Sequence, residues 1–143
     1  MKSNNKLIGK AGEIIAENYL VKRGFKTLYK NYMSKYGEID IICEKKDCYY
    51  FFEVKSRLND EHIKPFESVN CRKIRKILNT MDYFLQEHQE LSFDKDRKLK
   101  IISVTFSETF YSVLSLIKNI HDIDYININE GEDYKIGILD VIM

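Results

Sequence analysis

The chain has 143 residues, of which 44% are hydrophobic and 31% are charged, and its formal net charge is +1. These values are ordinary for a soluble globular protein, and the length predicts one domain with a sizeable core. A net charge so close to zero excludes attraction of nucleic acid by bulk charge alone, so local basic patches would have to hold any such ligand.

The chain start and the cysteines indicate the compartment. No run of 18 apolar residues occurs, so we expect no transmembrane helix. The N-terminal stretch MKSNNKLIGKAGE lacks the apolar core of a secretion signal. The cysteines, Cys43, Cys48 and Cys71, form neither an even disulfide framework nor a CxxC pair. We therefore expect free thiols in a reducing, cytoplasmic environment, and no membrane partner.

The first half of the chain predicts a helix followed by three strands. Residues 5–23 carry apolar side chains at helical spacing, and Gly24 is a natural end for that helix. The segment FKTLYKNYM (25–33) predicts a first strand. Two further strands are predicted at 37–43 and 49–55, where polar and apolar residues alternate.

The second half predicts a loop, a helix and two strands. A polar loop is expected at 56–65, which contains the single proline, and a helix from about Ser68 to His88. The apolar stripe of that helix consists of Val69, Ile74, Ile77, Leu78, Met81 and Leu85. A strand is predicted at 98–106, the segment 110–120 is compatible with strand or helix, and 132–143 predicts a final strand. The order predicts an α/β domain with a central mixed sheet flanked by helices.

The hairpin strands bring acids and a lysine together. With a two-residue turn at Lys46-Asp47, Asp40 faces Glu53 and Glu38 faces Lys55. The opposite face is apolar throughout and consists of Ile39, Ile41 and Cys43 opposite Val54, Phe52 and Tyr50. Opposed residues have Cβ atoms roughly 5 Å apart, so two like charges there are destabilising and need compensation.

Two interpretations of these acids are open at this point. One is a solvated sheet face with an ion pair between Glu38 and Lys55. The other is a divalent-cation site, because hard cations such as Mg²⁺ take one or two protein carboxylates together with waters and substrate phosphate. A cation would turn the repulsion between Asp40 and Glu53 into a shared attraction, and Lys55 would point at the phosphate or the attacking water.

One face of the first helix is small apart from a single carboxylate. It carries Gly9, Gly12, Glu13 and Ala16. Small side chains would let the helix approach the sheet closely and bring Glu13 with it, and a buried carboxylate is costly unless a cation or donors meet it. We therefore predict that Glu13 lies within about 10 Å of the hairpin acids, with a solvent-facing Glu13 as the alternative.

Asp40 on one strand, followed by Glu53-Val54-Lys55 on the next, resembles the PD-(D/E)xK signature of restriction-endonuclease-like nucleases. The surrounding sequence is similar to that of the bacterial YraN-like family across residues 7–88. The motifs of that family occur here in the same order. They are GKAGE, a later asparagine, GEID, FFEVKSR and the lysine-containing helix of ESVNCRKIRKI. The resemblance implies a restriction-endonuclease-like core similar to that of archaeal Holliday-junction resolvases.

The resemblance also implies an activity. Asp40 and Glu53 would bind Mg²⁺ or Mn²⁺, Glu13 would join the metal site, and Lys55 would orient or activate the attacking water. The implied reaction is hydrolysis of a DNA phosphodiester bond, with branched DNA as a candidate substrate and a homodimer as a candidate assembly. The rivals are a non-catalytic nucleic-acid-binding protein and a scaffold whose hairpin acids are held in internal salt bridges.

A basic cluster begins the second predicted helix. The stretch CRKIRK contains Arg72, Lys73 and Lys76, and Arg57 follows the E-x-K motif. Beside a phosphodiesterase site these four side chains are candidates for binding DNA phosphates, since backbone charge dominates nucleic-acid affinity. The alternative is a solvated basic helix face.

The C-terminal part departs from the family pattern, which usually has an R-F-D-V strand after the second helix. KLKIISV (98–104) takes that place with Lys100 at the aspartate position, or ILDVI (138–142) does so after a long insertion. The first alignment is preferred. It gives a nuclease domain at 1–121 and a C-terminal extension at 122–143 packed on the same domain.

Overall fold

The computed structural model describes residues 2–58, 70–88, 90, 95–114, 116 and 129–141. The helices are α1 (Lys2–Lys22), α2 (Cys71–Glu87) and α3 (Glu108–Leu114). The strands are β1 (Lys26–Ser34), β2 (Gly37–Lys45), β3 (Cys48–Leu58), β4 (Asp96–Phe106) and β5 (Tyr134–Asp140). No described helix is both long and apolar enough to cross a membrane.

Most predicted elements are confirmed, with one clear exception. The loop predicted at 56–65 is wrong for residues 56–58, because β3 continues to Leu58 through its pairing with β4. The rest of that loop, and Val69 of the predicted stripe, lie outside the described residues. The ambiguous segment 110–120 is helical as far as Leu114.

The strands form one mixed sheet in the order β1-β2-β3-β4-β5. β3 and β4 are parallel, whereas the other neighbouring pairs are antiparallel. The parallel pair is joined across α2, as a crossover connection requires. The predicted α/β architecture with a central mixed sheet is therefore confirmed. β5 pairs along β4, so part of the C-terminal segment completes the sheet.

Helices cover both faces of the sheet, and each face has its own apolar core. On the α1 face the buried residues include Ile8, Ala11, Ile15, Leu20, Ile41, Phe52, Ile102, Val104, Phe106, Phe110 and Leu114. On the α2 face they include Ile39, Ile42, Phe51, Ile77, Met81, Phe84, Leu85 and Leu99. The two cores fix α1 and α2 on the strands β2 and β3, which carry the hairpin acids.

Local signals end α1 and begin α2. Gly24 has a φ of +88°, and the Phe25 N–H donates to the Leu20 carbonyl at 3.1 Å, which closes α1 as predicted. At the start of α2, Asn70 caps the helix because its Oδ1 accepts the Lys73 N–H at 3.0 Å. This cap places the Lys73 side chain in the first turn of α2.

α1 approaches β3 closely at one glycine. A Cβ added to Gly12 would lie 1.6 Å from Ser56 Oγ and 2.8 Å from Ser56 Cβ. The predicted close approach is confirmed there, and Ala16 is fully buried. The same prediction is wrong for Gly9, where a Cβ would meet nothing within 4 Å. Gly12 thus sets the distance between α1 and the strand that carries Lys55.

Alanine at the two glycines should therefore have opposite effects on the free energy of unfolding. Gly12→Ala forces a methyl group against Ser56, and we expect it to destabilise the fold by about 1–3 kcal/mol. Gly9→Ala, on the same helix with open space, should stabilise it by roughly 0.5–1 kcal/mol. Urea denaturation of both variants measures this difference. Equal effects would contradict the close packing of α1 on β3.

Candidate active site

The β2–β3 hairpin has the register that the sequence predicts. Its paired positions run from Ile41–Phe52 to Lys45–Cys48 across a two-residue turn. Lys46 in the turn has a φ of 54°, in the left-handed region that such turns require. This register brings Asp40 and Glu53 to the same level just beyond the Ile41–Phe52 pair, at the end away from the turn.

The side-chain alternation of β2 changes at Asp40. Ile39 and Ile42 both pack in the core beneath α2, although a regular strand places residues three apart on opposite faces. Ile41 packs in the core beneath α1. The prediction that Ile39 shares a face with Ile41 is therefore wrong, because the pleat is reset between them.

The neighbouring strand β1 shows the same reset opposite Asp40. Tyr29 and Tyr32 are also three apart, yet both rings contact Phe84 of α2, at centroid distances of 5.4 and 5.1 Å. Between them, Asn31 has a φ of 52°, a conformation that asparagine tolerates better than most residues. Irregular strand positions of this kind re-aim side chains next to functional sites.

The Asp40 carboxyl is turned across the hairpin towards β3. Its Oδ2 accepts the Val54 N–H at 2.7 Å. Burial, followed by the charge of Glu53, raises the pKa of Asp40 to about 8, and the hydrogen bond from Val54 offsets only part of this rise. The predicted repulsion between the two acids is therefore present in the fold.

Glu53 is buried among cations. The residue is 6% exposed, and its Oε1 lies 2.7 Å from Lys73 Nζ and 3.6 Å from Lys55 Nζ. The interpretation as a solvated sheet face with a Glu38–Lys55 pair is wrong, because Lys55 pairs with this buried acid instead. Lys73, which the sequence suggested for DNA phosphates, has its ammonium on Glu53.

The two lysines differ in how readily they lose a proton. Burial lowers the pKa of Lys55, and the neighbouring Lys73 lowers it further. For Lys73, burial lowers the pKa, but the hydrogen bond and charge of Glu53 raise it by more, so the shift is upward. Lys73 therefore remains the ammonium partner of Glu53, and Lys55 is the better proton acceptor.

Glu13 on α1 belongs to the same electrostatic group. Burial raises its pKa, and the charges of Glu38 and Glu53 raise it further, while Glu13 in turn raises the pKa of Asp40. No three His, Cys, Asp or Glu side chains in the described part of the chain form a ready-made metal-binding group. The two acids that form the core of the candidate site are thus Asp40 and Glu53. The distance of less than about 10 Å between Glu13 and these acids stays a prediction.

A cavity of about 250 Å³ opens beside the acid pair. It is lined by Gly37, Glu38, Asp40, Glu53, Lys73, Lys76 and Ile77. Two carboxyl groups in its lining, those of Asp40 and Glu53, supply the oxygen donors that a hard divalent cation prefers, and the cavity leaves room for waters. Asp40 and Glu53 therefore fit the metal that the motif implies.

Of the other predicted phosphate-binding residues, one lines this opening, and the other two differ in their exposure. Lys76 lines it, and Arg72 is exposed on the first turn of α2. Arg57 is half-buried on β3, four residues beyond Glu53.

The cysteines are free thiols as predicted, and Cys43 is buried in the core.

The raised pKa of Asp40 predicts a pH-dependent stability. In the unfolded chain Asp40 has its ordinary pKa of 3.8, whereas in the folded protein its pKa is about 8. Between these two pH values only the folded protein keeps the proton. The free energy of unfolding therefore falls as pH rises through this range. Asp40→Asn removes this loss, and its melting temperature should exceed the wild-type value by a margin that grows up to about pH 8. The exposed Asp82→Asn serves as control. A constant margin for Asp40→Asn in thermal melts without metal would contradict the raised pKa.

Comparison with known proteins places these residues in a family context. Residues 12–104 match the profile of the uncharacterised protein family UPF0102. The matched range contains Glu13, Asp40, Glu53, Lys55 and Lys73. It ends within β4, in agreement with the alignment that places KLKIISV after the second helix.

Individual relatives give the same result. A UPF0102 protein of Clostridium perfringens strain SM101 is 40% identical over 106 residues, which cover 74% of this chain and 85% of the relative. One from Clostridioides difficile is 48% identical over 82 residues, or 57% and 72% of the two chains. One from Persephonella marina is 35% identical over 117 residues, or 82% and 95%. The chain therefore belongs to the uncharacterised protein family UPF0102, the YraN-like family that its motifs indicated.

Proposed function

We propose that this protein is a divalent-metal-dependent deoxyribonuclease of the PD-(D/E)xK type. The observation that carries the proposal is the buried contact between Asp40 and Glu53, with Lys55 on the same strand and a cavity beside them. Burying two carboxyl groups side by side is costly, because the ionisation of one opposes that of the other, and folds retain such an arrangement mainly where it serves chemistry. A bound cation is the simplest compensation.

Each residue has a distinct part in the proposed hydrolysis. Asp40 and Glu53 would hold Mg²⁺ or Mn²⁺, which when bound supplies Lewis-acid stabilisation of the charged phosphate. Lys55, whose pKa is lowered, would orient the attacking water and accept its proton. Glu13 would add negative potential from α1 and favour cation binding.

DNA is the proposed substrate because two lysines line the opening and two arginines are exposed on the same helix. Arg72, Arg75 and Lys76 are exposed on the first two turns of α2, and Lys76 also lines the cavity. Phosphate contacts of this kind supply most of the sequence-independent affinity for nucleic acid. Branched DNA and a homodimer follow from the resemblance to resolvases and are part of the same proposal.

One observation favours a second candidate, a scaffold that uses the fold without turnover. Glu53 has two lysine partners, as a structural salt bridge would. However, no lysine or arginine among the described residues forms an ion pair with Asp40, and its pKa is raised. A purely structural role gives no reason to bury this second acid, so the enzyme is the better proposal.

A cleavage assay on linear, flapped and four-way DNA with Mg²⁺ or Mn²⁺ tests the proposal. The wild type and Asp82→Asn should cut, whereas Asp40→Asn should lose activity by more than about a hundredfold, since even supporting groups at metal sites contribute ten- to hundredfold. The same cations should raise the melting temperature of the wild type but not that of Asp40→Asn.

Lys55→Gln separates catalysis from binding. It should keep the metal-dependent rise in melting temperature and lose cleavage, because Lys55 acts on the water and the two acids hold the cation. If the wild type binds DNA but yields no product with either metal, the protein is a binding module. The absence of both binding and metal response would favour the scaffold.

A further inference from the structure

The closest ion pair of the candidate site is made by a lysine outside the E-x-K motif. Lys73 Nζ lies 2.7 Å from Glu53 Oε1, whereas Lys55 Nζ lies 3.6 Å from the same oxygen. The side chain of Glu53 is only 8% exposed. A carboxylate this deeply buried needs a counter-charge, because burial without one costs several kcal/mol. In the described structure Lys73 is the main counter-charge.

The position of Lys73 allows its ammonium to leave. Its side chain is 39% exposed, against 21% for Lys55, and it lines the cavity. It extends from the first turn of α2, whose backbone is held by the Asn70 cap rather than by the ion pair. A change of side-chain rotamer can therefore move the ammonium away without disturbing the helix.

The oxygen that Lys73 contacts belongs to one of the two proposed metal ligands. A divalent cation and the Lys73 ammonium cannot both be in direct contact with the Glu53 carboxylate. Two positive charges a few ångström apart repel strongly in a partly buried setting. Binding of the cation must therefore weaken the ion pair between Lys73 and Glu53. Because such coupling is reciprocal, the ion pair must weaken the binding of the cation by the same factor.

We propose that Lys73 is a displaceable internal counter-ion that competes with the divalent cation for Glu53. It compensates the buried acid in the metal-free protein and is released into the basic surface of α2 when a divalent cation binds. This inference rests on the proposed metal site and adds a residue that sets its affinity.

The test compares two lysines of α2 that line the same cavity. Lys73→Gln and Lys76→Gln remove the same charge, but Lys76 forms no ion pair with Glu53 among the described residues. Calorimetric titration with Mn²⁺, in the absence of DNA, should show tighter binding to Lys73→Gln than to Lys76→Gln by about three- to tenfold.

A third variant, which keeps the positive charge at position 73, tests the inference even if Lys73→Gln does not fold. Lys73→Arg keeps the positive charge and a carboxylate-binding geometry, so its Mn²⁺ affinity should equal or fall below that of the wild type. Thermal melts verify that each variant is folded. The order of affinities expected is Lys73→Gln first, then Lys76→Gln, then wild type and Lys73→Arg.

The outcomes separate this inference from the proposed function. Equal Mn²⁺ affinity for Lys73→Gln and Lys76→Gln would overturn the competition and leave the metal site standing. Weaker binding to Lys73→Gln than to the wild type would also overturn it and make Lys73 a residue that positions Glu53 for the metal. Failure of every variant and of the wild type to bind Mn²⁺ would overturn both proposals.

Discussion

The burial of two carboxylates against each other is the constraint on which the rest of the site depends. Asp40 and Glu53 are brought together by the hairpin register, and burial, followed by the charge of Glu53, raises the pKa of Asp40 to about 8. Such an arrangement persists only if the surrounding fold imposes it and something compensates it. The two lysines next to Glu53 compensate one acid, and a divalent cation is proposed to compensate both.

Both helices are placed by this same pair of strands. The absence of a side chain at Gly12 lets α1 rest on Ser56, and Glu13 follows directly in the chain. The Asn70 cap fixes the first turn of α2, from which Lys73 reaches Glu53. The acids and lysines of the candidate site thus come from four separate segments, two strands and two helices.

Much of this site could be predicted from sequence because its central part is local. The two-residue turn and the alternation of apolar residues fix which residues of the hairpin face each other, and Asp40, Glu53 and Lys55 follow from that. The contact between Lys73 and Glu53 could not be predicted, since it depends on the rotation of α2 relative to the sheet. No spacing in the sequence carries that information.

Two further differences have equally specific causes. The face of Ile39 is reversed at an irregular position of β2, beside the left-handed backbone of Asn31 on β1, and composition does not signal this irregularity. Lys100, at the position where the family pattern has an aspartate, pairs with Asp140 of β5 at 3.0 Å. β4 thus carries a cation at this position, and an acid of the C-terminal strand balances its charge.

The most direct measurement of the central claim is an anomalous difference map from crystals grown with Mn²⁺. One strong peak is expected beside the carboxylates of Asp40 and Glu53, with the Lys73 ammonium moved away from Glu53. No peak at these acids at saturating Mn²⁺, with Lys73 still paired to Glu53, would contradict the claim.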